Sequence, residues 1–236
     1  MTAWPGLGGS CAICRGWARG RLCGDCLARF AVIRARCRRC AIELPGGAPE
    51  CGDCLRRPPP FERAVAAVDY LPPWRELIAQ FKFHAGLELA PVFAELLVQA
   101  VRRAEAPAPE LLLPAPLATA RLRERGYNQA WELARRVGRQ LGLHADASLL
   151  LRLRDTPHQL ALPLAQRAAN VRDAFAPEPR RRGELAGRRI ALVDDVLTTG
   201  ETAAAMARAL LQAGAAQVQV WVLARTPRPD IGGPDA

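Results

Sequence analysis

The chain has 236 residues, 50% hydrophobic and 24% charged, which is ordinary for a soluble globular protein and leaves room for one sizeable core plus a small module. No stretch approaches an uninterrupted membrane span, and Met1–Ser10 has neither a basic start nor a long apolar core, so neither a transmembrane segment nor a signal peptide is expected and the expected location is cytoplasmic. The formal net charge of +10, with a pI near 10.0, favours polyanionic partners: nucleic acid, a phosphorylated substrate or an anionic membrane face.

The first predicted module, residues 1–57, is written in cysteine. All eight cysteines fall into four CxxC pairs, Cys11/Cys14, Cys23/Cys26, Cys37/Cys40 and Cys51/Cys54, and the runs Cys23-Gly-Asp-Cys26-Leu and Cys51-Gly-Asp-Cys54-Leu are identical. A CxxC knuckle presents two thiolates to one tetrahedral ion, and two knuckles complete a four-cysteine site, so the spacing predicts two structural zinc ions in a double zinc ribbon. Disulfides are the rival, disfavoured by a reducing cytosol. So few residues seldom build a core without such a staple, which makes scaffolding the expected role.

Pro58-Pro59-Pro60 reads as a stiff extended spacer, after which residues 61–228 are expected to form one α/β domain, with 229–236 as a tail. Ala64–Tyr70 reads as its first strand, and Trp74, Leu77, Ile78 and Phe81 mark one face of a helix. Just beyond that face comes Lys82, the single lysine among 33 basic residues. An ammonium is a compact charge with a shiftable pKa, whereas every other cation here is the wide planar fork of arginine. Leu87–Ala104 reads as a longer helix and Leu111-Leu-Leu as a short buried strand.

Next is a loop rich in guanidinium forks, from Pro114 through Arg121, Arg123 and Arg125 to Gln129, suited to phosphate oxygens. A helix follows over Asn128–Leu141, with Trp131, Ala134, Val137 and Leu141 on one stripe. The polar stretch from Arg152 and Arg154 through Thr156 and Gln159 to Arg167, Asn170 and Phe175 can close over a site as a lid, with Ala165–Phe175 a further helical candidate. Val218–Leu223 is the last strand, and alternation of strands and helices predicts a largely parallel sheet flanked by helices.

The most informative run is Ile190-Ala-Leu-Val-Asp194-Asp195-Val-Leu-Thr198-Thr199-Gly200-Glu201-Thr202. Ile190–Val193 suits a strand buried on both faces, and Glu201–Gln212 suits a helix stopped by Gly214. Between them, backbone N–H groups around Thr198, Thr199 and Gly200 can converge on an anion at the helix N-terminus, with the threonine hydroxyls adding donors. The two carboxylates cannot grip a phosphate, but they can accept hydrogen bonds from vicinal sugar hydroxyls or sit near a hydrated magnesium ion. Neither a GxxxxGK[ST] loop nor a GxGxxG run occurs. The segment resembles the phosphoribosyl-pyrophosphate (PRPP) signature of type I phosphoribosyltransferases at every position.

The resemblance then extends along the chain. A four-cysteine zinc module, a lysine after a helix, PxPL followed by RLxxRGYNQA, RxxxTxxQ with RxxNxxxAF, and DDVxTTGxT occur in the order that is similar to the ComF family of phosphoribosyltransferase-like proteins. It covers Cys11 to Arg225 and departs at Ala118-Thr119, where a histidine or another polar or basic residue is expected after PxPL. The family implies a type I phosphoribosyltransferase fold, cytosolic residence and, in competent bacteria, a part in DNA uptake. On that reading PRPP and Mg2+ bind together, Thr198–Thr202 seat the 5′-phosphate, Asp194 and Asp195 meet the ribose, and Arg121 and Arg125 face the pyrophosphate. Asp194, Asp195, Arg125 and Lys82 are the expected catalytic set, and the acceptor is unidentified. The alternative is a non-catalytic factor that keeps the PRPP pocket as a sensor or relic while it engages single-stranded DNA or other competence proteins, with peripheral association with a membrane-bound uptake complex as a further partner expectation.

Overall fold

The identical Cys-Gly-Asp-Cys-Leu runs fold alike. In the computed structural model, which describes residues 8–83, 86–153 and 174–228, a hairpin of β1 (Gly9–Ser10) and β2 (Trp17–Ala18) precedes helix α1 (Gly24–Phe30), and the second repeat forms α2 (Gly52–Arg56). Cys23 and Cys51 are the N-caps of these helices, with φ/ψ of −80/160 and −80/157. The non-helical cap and the aspartate in the first turn are therefore set by the five-residue repeat itself.

The larger part runs β3 (Arg63–Asp69), α3 (Trp74–Phe83), a 3-10 turn at Leu87–Leu89, α4 (Ala90–Arg103), β4 (Leu111–Pro114), α5 (Thr119–Arg125) and α6 (Gln129–Leu141). It continues with β5 (Leu150–Arg152), β6 (Phe175–Pro177), a 3-10 turn at Pro179–Leu185, β7 (Arg189–Leu197), α7 (Glu201–Gln212) and β8 (Gln217–Arg225). Four strands pair in the order β3-β8-β7-β4, all parallel, and β5 pairs antiparallel with β6. The α/β class read from the sequence is the class observed.

Strand alternation sorts the core into two layers. Val65 and Ala67 of β3, Ala191 and Val193 of β7, and Trp221 and Leu223 of β8 pack with α3, α4 and α6. Their neighbours Ala64, Ala66, Ile190, Leu192, Val218, Val220 and Val222 pack on the other face with Ala203, Met206 and Leu210 of α7. Both faces being covered, β7 and β8 read as near-continuous apolar runs.

Contacts cross the proline spacer. Cys11, Ala18, Leu22 and Cys26 belong to the same apolar core as Trp74 and Phe81, and the Trp74 indole N–H donates to the Phe30 carbonyl at 2.8 Å. Arg36 meets Asp69 at 2.7 Å from the second ribbon.

Three local expectations change. Thr119–Arg125 is a helix, not a loop, and ends on Gly126 in the left-handed region (φ 77). β7 runs on through Asp194 and Asp195 to Leu197, because its ladder with β8 continues to the pair Leu197–Arg225. Phe175 begins a strand and Ala174 before it lies in a buried bend, while residues 165–173 of the helical candidate lie outside the described residues.

Candidate functional site

The site grows from the carboxyl end of β7, next to the centre of the sheet, where ligands of open parallel sheets collect. Successive side chains on a strand point to opposite faces, and the two aspartates divide accordingly. Asp194 lines a cavity of about 70 Å3 together with Val196, Thr198, Gly200 and Thr202. Asp195 faces α3, and its Oδ1 lies 2.8 Å from the Lys82 ammonium in a pair with side-chain exposures of 5% and 19%. The other oxygen of Asp195, Oδ2, is buried and has no hydrogen-bond partner among the described residues.

Charge and burial pull against each other here. Burial pushes the Asp194 carboxyl up to about 7, helped by the charge of Asp195 and opposed by Lys82, the Asp195 N–H and Arg152. That N–H donates to Asp194 Oδ1 at 2.8 Å. For Lys82, burial favours loss of the proton, but the Asp195 and Asp194 charges and the hydrogen bond to Asp195 hold the ammonium above its ordinary value. The one lysine therefore stands on the one buried carboxylate of the signature, in a space where a compact ammonium fits.

Beyond β7 the chain turns through exposed Thr198 and Thr199 into Gly200, whose φ of 87 strains a side chain. Gly200 caps α7, a helix of 12 residues, and the Glu201 N–H approaches the Thr199 hydroxyl at 3.4 Å. Thr202 lies one residue into the first turn. The N–H groups of a helix N-terminus, a helix dipole and three hydroxyls thus share one turn.

Arg121 and Arg125 lie one turn apart on α5, hence on one face. The Arg125 guanidinium stacks 4.6 Å from the centroid of the Phe83 ring and donates to Gln129 at 3.1 Å. The Tyr127 hydroxyl donates to the Phe81 carbonyl, and Asn128 donates to the Ala115 carbonyl at 3.0 Å while capping α6. The arginine-rich segment is thereby tied to the end of α3 that carries Lys82. Phe83 and Tyr127, absent from the expected site, supply that tie. Of the lid candidate, Arg154, Thr156, Gln159, Arg167 and Asn170 lie outside the described residues; its stems are β5 and β6, where Arg152 stacks 5.5 Å from the Phe175 ring.

The cysteines gather as two groups of four, Cys11/Cys14/Cys23/Cys26 and Cys37/Cys40/Cys51/Cys54, with sulfurs all within 4.8 Å of one another in each. Tetrahedral Zn–S bonds of about 2.3 Å put sulfurs about 3.8 Å apart, and the Cys14–Cys23 and Cys40–Cys51 separations are both 3.7 Å. Backbone N–H groups already point at sulfur: Cys23 to Cys11 at 3.4 Å and Cys51 to Cys37 at 3.3 Å. Both clusters fit a structural zinc ion. Among the described residues no helix is long and apolar enough to cross a membrane.

Residues 96–230 match the phosphoribosyl transferase domain. The chain is 36% identical to the DNA utilization protein YhgH of Salmonella typhi, covering 96% of this chain and all of that one. It is 35% identical to Competence protein F of Haemophilus influenzae, covering 91% of this chain and 96% of the relative. Among solved structures, glutamine PRPP amidotransferase from B. subtilis, complexed with ADP and GMP, is similar at 21% identity over 56% of this chain and 25% of that chain, with a TM-score of 0.38.

Proposed function

Because the chain belongs to the ComF family and carries a phosphoribosyl transferase domain, we propose that it binds PRPP with magnesium and transfers the phosphoribosyl group to an acceptor, with release of pyrophosphate. One observation carries this reading: half-buried Asp194 and buried Asp195 stand at the foot of a glycine-capped, threonine-lined helix N-terminus. Thr198–Thr202 then hold the 5′-phosphate. Asp194 and Oδ2 of Asp195, which has no partner among the described residues, accept from ribose hydroxyls or hydrated magnesium. The bond from the anomeric carbon to the pyrophosphate oxygen breaks, its electron pair leaves with the pyrophosphate, and an acceptor lone pair forms the new bond. Bound magnesium supplies charge neutralisation to the departing group. Arg121 and Arg125 offer fixed forks to the same oxygens, and Lys82 holds Oδ1 of Asp195 in place.

Calorimetry with PRPP, ribose 5-phosphate and inorganic phosphate in magnesium tests the site, and pyrophosphate release over a panel of acceptors tests the transfer. Wild type is expected to bind PRPP most tightly, and Asp195→Asn to weaken it roughly tenfold to a hundredfold. Glu184→Gln is the charge control, since Glu184 is exposed and paired with Arg181 at 2.8 Å on a separate helical turn. Removing an acid from a basic protein should slightly strengthen binding of a polyanion, so opposite effects of the two substitutions mark specific recognition. A wild type that binds none of the three ligands overturns the reading.

A second reading concerns nucleic acid, favoured by the relatives' DNA utilization and competence names and by a groove of about 310 Å3 lined by Arg34, Arg36, Arg38, Arg63 and Arg103. Within it one Arg36 nitrogen, Nη2, is buried with no partner among the described residues. Aromatic residues make up only 6% of the chain, so contacts would be to phosphates rather than stacked bases. Single-stranded DNA is expected to bind with little sequence preference and a log–log salt slope of about −0.7 per phosphate contact. Salt-insensitive binding, or none at low salt, removes this reading.

A further inference from the structure

One side chain holds the turn after β7 from behind. Arg225, the last residue of β8, donates from Nε to the Cys40 carbonyl at 2.8 Å. Its Nη1 donates to the carbonyls of Leu197 at 3.0 Å, Thr198 at 2.6 Å and Thr226 at 2.7 Å. Leu197 and Arg225 are partners in the sheet register, so strand pairing itself delivers the guanidinium to this place. Cys40 belongs to the second cysteine cluster. A single planar fork therefore ties a cysteine knuckle to the first two carbonyls of the phosphate turn.

The direction of those carbonyls matters. In a trans peptide the C=O of one residue and the N–H of the next point opposite ways. Drawing the Leu197 and Thr198 carbonyls onto Arg225 turns the N–H groups of Thr198 and Thr199 away from it. The arginine side of the turn opens on a groove of about 340 Å3 lined by Cys40, Cys51, Arg57, Arg208 and Arg225. On its other side the turn borders the small cavity shared by Asp194, Thr198 and Thr202. Amides aimed away from Arg225 are the donors an anion there needs.

We infer that Arg225 is a positioning residue that couples metal occupancy of the Cys37/Cys40/Cys51/Cys54 cluster to the shape of the phosphate turn, so that losing the metal there weakens binding of a sugar 5′-phosphate. Without the metal the Cys40 knuckle keeps its backbone bonds, Cys37 N–H to the Ile42 carbonyl and Ala41 N–H to the Cys37 carbonyl, both at 2.8 Å, but loses the tie to the other three sulfurs, so the acceptor of the Nε bond loosens and the fork can leave the turn. The inference rests on reading Thr198–Thr202 as a 5′-phosphate seat.

The experiment compares wild type, Arg225→Met, Cys40→Ser and the double variant, full length, by ribose 5-phosphate calorimetry and by amide hydrogen exchange at Thr198–Glu201. Each single variant is expected to lose about tenfold in affinity and to exchange those amides about tenfold faster, as befits lost hydrogen bonds to a charged group. The double variant should be no worse than the worse single one, because both break the same link. Arg208→Met removes a charge from the same groove and should lose less than about threefold, as a screened charge would. Additive losses in the double variant, or an Arg208→Met as damaging as Arg225→Met, would overturn the coupling. Should Cys40→Ser fail to fold, chelator-treated wild type takes its place. Failure of wild type to bind ribose 5-phosphate would refute the phosphate seat alone. Exchange still decides the coupling in that case, since unchanged rates at the turn in Arg225→Met and metal-free protein overturn it.

Discussion

Lys82→Met is expected to destabilise the protein by about 3–5 kcal/mol at pH 8, the usual cost of leaving one member of a buried ion pair without its partner. Asp195 would lose its partner at 5% side-chain exposure, with its other oxygen already without a partner among the described residues, and the methionine offers nothing to either. The sign of the pH dependence follows from Asp194, whose carboxyl burial raises to about 7. A carboxyl with a raised folded pKa holds its proton more tightly folded than unfolded, so its favourable contribution is full below about 4 and is lost as pH rises towards 7. Taking the Lys82 charge away raises the Asp194 carboxyl further and moves that window upward. The deficit of Lys82→Met should therefore shrink at pH 5, where the pair can retain a proton. Urea unfolding at the two pH values measures it, and equal deficits, or one below about 1 kcal/mol, would contradict the pairing. Lys82→Arg completes the comparison. If arginine serves as well, the lone lysine is an accident of composition; a wide fork in a space built for an ammonium should recover only part of the loss.

What could be read from the sequence depended on whether a signal was local. Ile190–Val193 declared itself a buried strand because both sheet faces are covered, and the cysteine repeat declared two knuckles because cap, acid and thiols lie within five residues. The grouping of knuckles into first-with-second and third-with-fourth was open in the sequence and is settled by the sulfur positions. α5 escaped because none of its residues is buried, so it has no apolar stripe, and its visible mark is the glycine that ends it. Lys82 stood out by composition, yet its partner lies far along the chain, and only the parallel stacking of β7 beside the α3 layer brings them together. Arg225 left no local trace at all. Its four acceptors come from three separated segments, and one arginine among many carries no mark.

The two metal clusters should fail differently. Wild type purified without chelator is expected to carry about two zinc ions by elemental analysis, and losing one structural site is among the few single changes expected to cost about 4 kcal/mol or more. Cys26 is packed in the same core as Trp74, Phe81 and Phe93, and the Trp74 indole is bonded to the Phe30 carbonyl at the end of α1. Cys26→Ser should therefore release one zinc and lower the melting of the whole chain in a single transition, loosening α3 and Lys82 with it. Cys54 instead sits in a small separate cluster with Cys37, Ile42 and Cys51. Cys54→Ser should release the other zinc, leave the α/β core folded, and act on the phosphate turn through Arg225. Calorimetric melting with zinc quantified on each variant separates the outcomes. Two independent transitions in Cys26→Ser, with the α/β melting unchanged, would mean that the Pro58–Pro60 spacer insulates the first ribbon after all. Loss of the whole fold in Cys54→Ser would mean that the second ribbon, despite its separate core, holds the domain together through the Arg36–Asp69 pair and the Arg225 link.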